Sequence, residues 1–162
     1  MNPRAIVVAA VLQLLIGMPA SPGSEAPNAS ALVGTWRLVE YTNFRDGRTV
    51  HPFGAEPIGL FIYTSSGHVS VHIMHDPPLK SFGDLDLSSD EQDRSEERSY
   101  VGYFGTYRVD STRSVVIHHV EGGTRLGYIG KDEERSFRIE GDKLIIGDGR
   151  TWRRVLVRVP AR

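Results

Sequence analysis

The chain contains no cysteine among its 162 residues. That excludes disulfides, thiolate metal sites, a cysteine nucleophile and a lipid-modified N-terminal cysteine, so stability has to come from a packed core. Charge of one sign is not in excess either: the formal net charge is −1, with acidic and basic residues interspersed. No broad field is available to hold a phosphate backbone or anionic lipid, which sets nucleic acid aside as a partner. Gly-x-Ser-x-Gly is missing, Ser70 sits in a strand pattern rather than an elbow, and Gly147-Asp148-Gly149 has no Lys-Ser/Thr after it. Serine-hydrolase and phosphate-loop chemistry therefore have no motif. The acidic run from Asp84 to Glu97 lacks the Asp-x-Asp-x-Asp-Gly pattern of a calcium loop, and reads as a solvated face.

Long apolar runs are also missing beyond residue 17. The one run present, Ala5 to Gly17, follows Arg4 and is broken only by Gln13. At about 13 residues it falls short of the roughly 20 that a membrane-spanning helix needs. It has the form of an export-signal core, with cleavage after Ala20 or near Ser24 and Ala26, and an uncleaved N-terminal anchor as the alternative. Residues 1–26 are accordingly expected to be signal and leader, and 27–162 one folded domain. The expected location is secreted or periplasmic, with no membrane span in the mature chain.

What the rest of the chain does contain is two-residue alternation, punctuated by Gly, Asp and Ser. Eight strands are predicted: Thr35–Thr42, Gly59–Thr64, His68–Met74, Tyr100–Asp110, Ser114–Glu121, Glu134–Glu140, Lys143–Ile146 and Thr151–Val159. In the first, Trp36, Leu38 and Glu40 should point one way and Arg37, Val39 and Tyr41 the other. Ser65-Ser66-Gly67 and Glu140-Gly141-Asp142-Lys143 are tight hairpin signals. Between the third and fourth strands, Asp76-Pro77-Pro78 stops the sheet and a polar excursion follows, with Ser88 or Ser89 placed to cap a short helix. Almost no helix remains for parallel crossovers. The expected fold class is all-β, an antiparallel up-and-down eight-stranded barrel, and eight strands enclose room for one small ligand.

Several segments carry a resemblance. They are Leu32-Val33-Gly34-Thr35-Trp36, Pro52-Phe53-Gly54-Ala55-Glu56-Pro57-Ile58-Gly59, Ile62-Tyr63-Thr64-Ser65-Ser66-Gly67-His68-Val69-Ser70, Gly102-Tyr103-Phe104-Gly105-Thr106-Tyr107, and His118-His119-Val120-Glu121-Gly122. In this order and spacing they resemble the bacterial and fungal lipocalin-like domain family, from Leu32 to Val157. The resemblance implies a calycin-type barrel and is departed from at His72, where an amide is expected, and at Gly123–Tyr128, where an apolar, Pro-containing segment is expected. It also implies a cation–π lid, Trp36 under Arg153 or Arg154, at one barrel end, and a mouth near the loop from His51 to Gly59.

Alternation gives the candidate wall. If Tyr103 points inward, so do Gly105 and Tyr107; the paired strand then presents Val116, His118 and Val120, and Ser70 and His72 form a third row beside Phe61 and Tyr63. Aromatic walls with a few hydroxyl and imidazole groups are how small-molecule pockets are built. The candidate ligand-binding residues are therefore Phe61, Tyr63, Ser70, His72, Tyr103, Tyr107 and His118. His118 and His119 are neighbours on one strand, face opposite ways and cannot ligate one ion inside a barrel, so neither metal nor other cofactor is expected. The leading reading is a binder of a small, largely apolar molecule. A cofactor-free isomerase or cyclase with His118 as proton shuttle stays open. So does an envelope interaction module using the excursion around Asp90.

Overall fold

The computed structural model describes residues 29–76 and 98–160. A single helical turn, α1 (Ala29–Leu32), leads into β1 (Gly34–Arg45), followed by β2 (Arg48–Val50), β3 (Ile58–Tyr63), β4 (His68–Met74), β5 (Tyr100–Asp110) and β6 (Val115–Gly123). A 3₁₀ turn over Leu126–Tyr128 precedes β7 (Asp132–Glu140), β8 (Lys143–Ile146) and β9 (Trp152–Arg158). Each of the long strands pairs antiparallel with the next in the chain, and β9 returns to pair with β1. The result is a closed up-and-down barrel of eight strands, β1 and β3 to β9, which leaves no edge to be protected.

All eight expected strands are present. The additional one, β2, folds back on the far end of β1 through Asp46-Gly47, both with positive φ (50° and 71°). Asp-Gly is the residue pair that a two-residue hairpin turn prefers, because both positions need the left-handed region. The expected turns at Gly67 (φ 85°) and Gly141 (φ 61°) use the same freedom. The helix expected at Ser88 or Ser89, and the acidic run around Asp90 with any partner role, lie outside the described residues.

The predicted face assignment of β1 needs correcting. Trp36 and Leu38 are buried, but the register against β9 shifts between Leu38 and Glu40, leaving Val39 as an extra residue. A bulge of this kind reverses the alternation beyond it. Tyr41 therefore joins Trp36 and Leu38 on the inner face, and Glu40 turns outward to Arg153 at 2.8 Å.

One end of the barrel is plugged. Trp36 is fully buried, and its indole N–H donates to the Leu32 carbonyl at 2.8 Å. The Arg158 guanidinium lies 4.0 Å from the centre of the Trp36 ring and donates to the carbonyls of Ala31 and Val33. The lid residue is thus Arg158, and neither Arg153 nor Arg154. Register is the reason: β1 and β9 run antiparallel, Trp36 stands opposite Arg158, and Arg153 and Arg154 stand opposite Thr42 and Tyr41.

Candidate functional site

The half of the barrel away from the Trp36 plug is open. There a cavity of about 560 Å³ is walled by the aliphatic Val71, Ile73 and Ile146 and by the rings of Tyr41, Phe61, Tyr103, Tyr128 and Trp152. The volume lies within the usual range for small-molecule sites. The loop from His51 to Gly59 runs beside this mouth. Its Phe53 is buried edge-on against Tyr41, ring centres 4.6 Å apart, so the loop braces a wall without lining the cavity itself. Gly54 is needed there because an added Cβ would strike the Asp76 carbonyl.

Of the sequence-predicted wall residues, Phe61 and Tyr103 line the cavity. Tyr63, Tyr107 and His118 sit on the inner side toward the plug. Tyr107 donates from its hydroxyl to the Thr64 carbonyl at 3.0 Å and stands edge-on to Tyr63, closing that end. Ser70 and His72 are on the outer face, contrary to the expected third row. Directly opposed residues share a face. Phe61 opposes Val71 and Tyr63 opposes Val69, so the buried row of β4 is Val69, Val71 and Ile73. Ser70 and His72 fall between them, and His72 bonds Ser70 and the Tyr100 hydroxyl across the exposed surface. His119 likewise points outward, to Asp132 at 2.9 Å.

His118 is the centre of a buried polar chain. Its Nε2 is 3.1 Å from the Tyr63 hydroxyl and its Nδ1 is 2.9 Å from the Tyr103 hydroxyl. Burial, with Arg135 adding to it, holds the imidazole well below its usual pKa, and the ring is neutral. A neutral ring has one donor and one acceptor nitrogen. Tyr63 is 1% exposed, and His118 is its side-chain hydrogen-bond partner among the described residues. Withholding the Tyr63 proton from that partner would strand a buried donor, at about 1–3 kcal/mol. Tyr63 therefore donates to Nε2, the ring proton resides on Nδ1, and Nδ1 donates to the Tyr103 oxygen. The Tyr103 proton is left for an acceptor on the cavity side. Burial pushes the Tyr103 hydroxyl up to about pKa 12, so it stays protonated.

Stability should record this neutral imidazole. Below about pH 6.5 an unfolded chain takes up a proton at His118 that the folded chain refuses, so folding stability falls as pH falls, by up to about 1.4 kcal/mol per pH unit. Urea unfolding of wild type and His118→Gln between pH 7 and pH 5 checks this. Glutamine supplies one acceptor and one donor without titrating, and the wild-type decline is expected to be the steeper. Parallel declines would mean that His118 is not held neutral.

Several site residues escaped the sequence reading. Arg135 shares the inner face of β7 with buried Phe137, and Arg154 shares that of β9 with buried Leu156; both arginines line the cavity. The Arg154 guanidinium lies 3.2 Å from the Tyr41 ring centre and 5.0 Å from that of Trp152. It donates to the carbonyls of Thr42 and Arg153 and to the Asn43 side-chain oxygen. Arg135 lies over Tyr103 and Tyr128, at 5.6 and 5.8 Å. The available signal was alternation with Phe137 and with Leu156, since charged residues in a strand pattern are ordinarily read as outward.

A closed antiparallel barrel, plugged at one end by a tryptophan under an arginine and open at the other onto a cavity, defines the calycin class. Within that class, residues 33–155 match the lipocalin-like domain family, and the chain belongs to that family. No curated protein matches it. Among the described residues no helix is long and apolar enough to cross a membrane.

Proposed function

We propose that this chain is an exported protein that holds a small, largely apolar molecule in the open half of its barrel. The observation that carries the reading is the cavity of about 560 Å³, in which aliphatic and aromatic side chains (Phe61, Val71, Ile73, Val101, Ile146 and Trp152) form one part of a wall that charged side chains complete. Burial of such surface drives binding at roughly 25 cal/mol per Å² before the costs of association. Export is supported by Arg4 and the apolar run from Ala5 to Gly17. Native mass spectrometry of the protein purified from its own host tests the reading. A co-purifying small molecule is expected at one per chain, and it should be lost from Ile73→Trp, which puts an indole into the cavity. Identical ligand-free masses for both proteins would reject it.

A second reading, a cofactor-free isomerase or cyclase, is favoured by one observation, the buried hydrogen-bonded chain Tyr63–His118–Tyr103. In that case the catalytic residue is Tyr103, which touches the cavity. His118 is a positioning residue, because it stands behind Tyr103 and does not line the cavity.

A further inference from the structure

We infer that the molecule bound in the cavity is an anionic amphiphile, with a compact oxyanion such as a carboxylate or sulfonate seated between Arg135 and Arg154 and its apolar body against Phe61, Val71 and Ile73. This rests on the reading of the barrel as a small-molecule binder. The charges lining the cavity are unequal: Arg45, Arg125, Arg135 and Arg154 against Glu133 and Glu134. Glu134 is already held from the outer side by a two-pronged contact with Arg113 at 2.9 and 3.1 Å.

The two central arginines are poorly compensated. Arg154 donates to two carbonyls and an amide oxygen and also engages Tyr41, all uncharged partners. Arg135, with its side chain 12% exposed, donates to the Glu133 carbonyl and has one carboxylate nearby, that of Glu133 at 3.8 Å. A guanidinium withdrawn from water without an anion is unfavourable, and two that repel each other are more so. Burial lowers the pKa of Arg154, Tyr41 opposes that in part, and the Arg135 charge adds to the lowering. An oxyanion between them relieves both terms and accepts forked hydrogen bonds. The Tyr103 proton, turned away from His118, is a further donor to it.

The aromatic rings argue against the opposite charge. Ring faces attract cations, but those of Tyr41 and Trp152 are covered by Arg154, and those of Tyr103 and Tyr128 by Arg135. An ammonium ligand would meet a guanidinium group at each of these four rings.

Two dyes test this, 8-anilino-1-naphthalenesulfonate and N-phenyl-1-naphthylamine, which share a ring system and differ by the sulfonate. Fluorescence titration of the full chain is expected to give at least tenfold tighter binding of the sulfonate. Arg135→Gln should weaken the sulfonate about tenfold and leave the neutral dye within twofold. Glu133→Gln, which removes the carboxylate beside Arg135, should tighten the sulfonate and leave the neutral dye unchanged; this arm decides if Arg135→Gln fails to fold by circular dichroism. Equal affinity for the two dyes, or substitutions that shift both alike, overturns the anion site and leaves a binder of apolar molecules. Binding of neither dye overturns both.

Discussion

Replacing His118 by alanine is expected to remove about 3–5 kcal/mol of folding free energy, the larger part of what a marginal domain has to spare. Two terms add. The imidazole is fully buried, so its loss leaves a void in the barrel. Its loss also orphans the Tyr63 hydroxyl, which is buried at 1% exposure, and removes the proton that Nδ1 gives to Tyr103. A double-mutant cycle separates these terms. Tyr63→Phe alone should cost about 1 kcal/mol, whereas in the His118→Ala background it should cost nothing or restore stability, because no partner remains for the hydroxyl. Urea unfolding at pH 7.5, where the ring is neutral in both states, gives all four corners. Additive costs would show that the chain does not act as a unit.

Trp36→Ala should be comparably damaging, by about 3–5 kcal/mol. The indole fills the plugged end, holds α1 through the Leu32 carbonyl and supports the Arg158 guanidinium. Arg158→Ala should cost less, since that side chain is exposed. Its effect should shrink further once Trp36 is gone, because the two share one contact. Folded Trp36→Ala should still bind cavity ligands with near wild-type affinity, as the cavity lies at the other end and Trp36 is not among its walls. Equal loss of stability and of binding per folded molecule would mean that the two ends are mechanically coupled.

Strand existence was legible in the sequence because half-buried strands leave a period-two record, and because Gly67 and Gly141 occupy positions that only a turn requires. That His118 shares one row with Val116 and Val120 was legible for the same reason; that this row faces inward followed only if Tyr103 did. The hairpin to β2 was written in Asp46-Gly47, but three exposed residues carry no apolar pattern to flag a strand. The faces of Ser70 and His72 were not legible. Period two identifies two rows without saying which is inside, and pairing with Phe61 and Tyr63 decides it. The cavity's charge was hidden most deeply, since an inward arginine on a strand looks like any surface arginine until its neighbours in space are known.

The extra residue in β1 carries one more consequence. Were β1 regular past Leu38, Glu40 would share the inner face and Tyr41 would face water. The alternation of β9 already turns Arg153 outward and Arg154 inward; with Val39 inserted, it is Glu40 that meets Arg153 outside and Tyr41 that meets Arg154 inside. The polarity of the interior is therefore set by the length of a strand as much as by its composition. One residue of slack in the backbone keeps a third carboxylate out of the chamber.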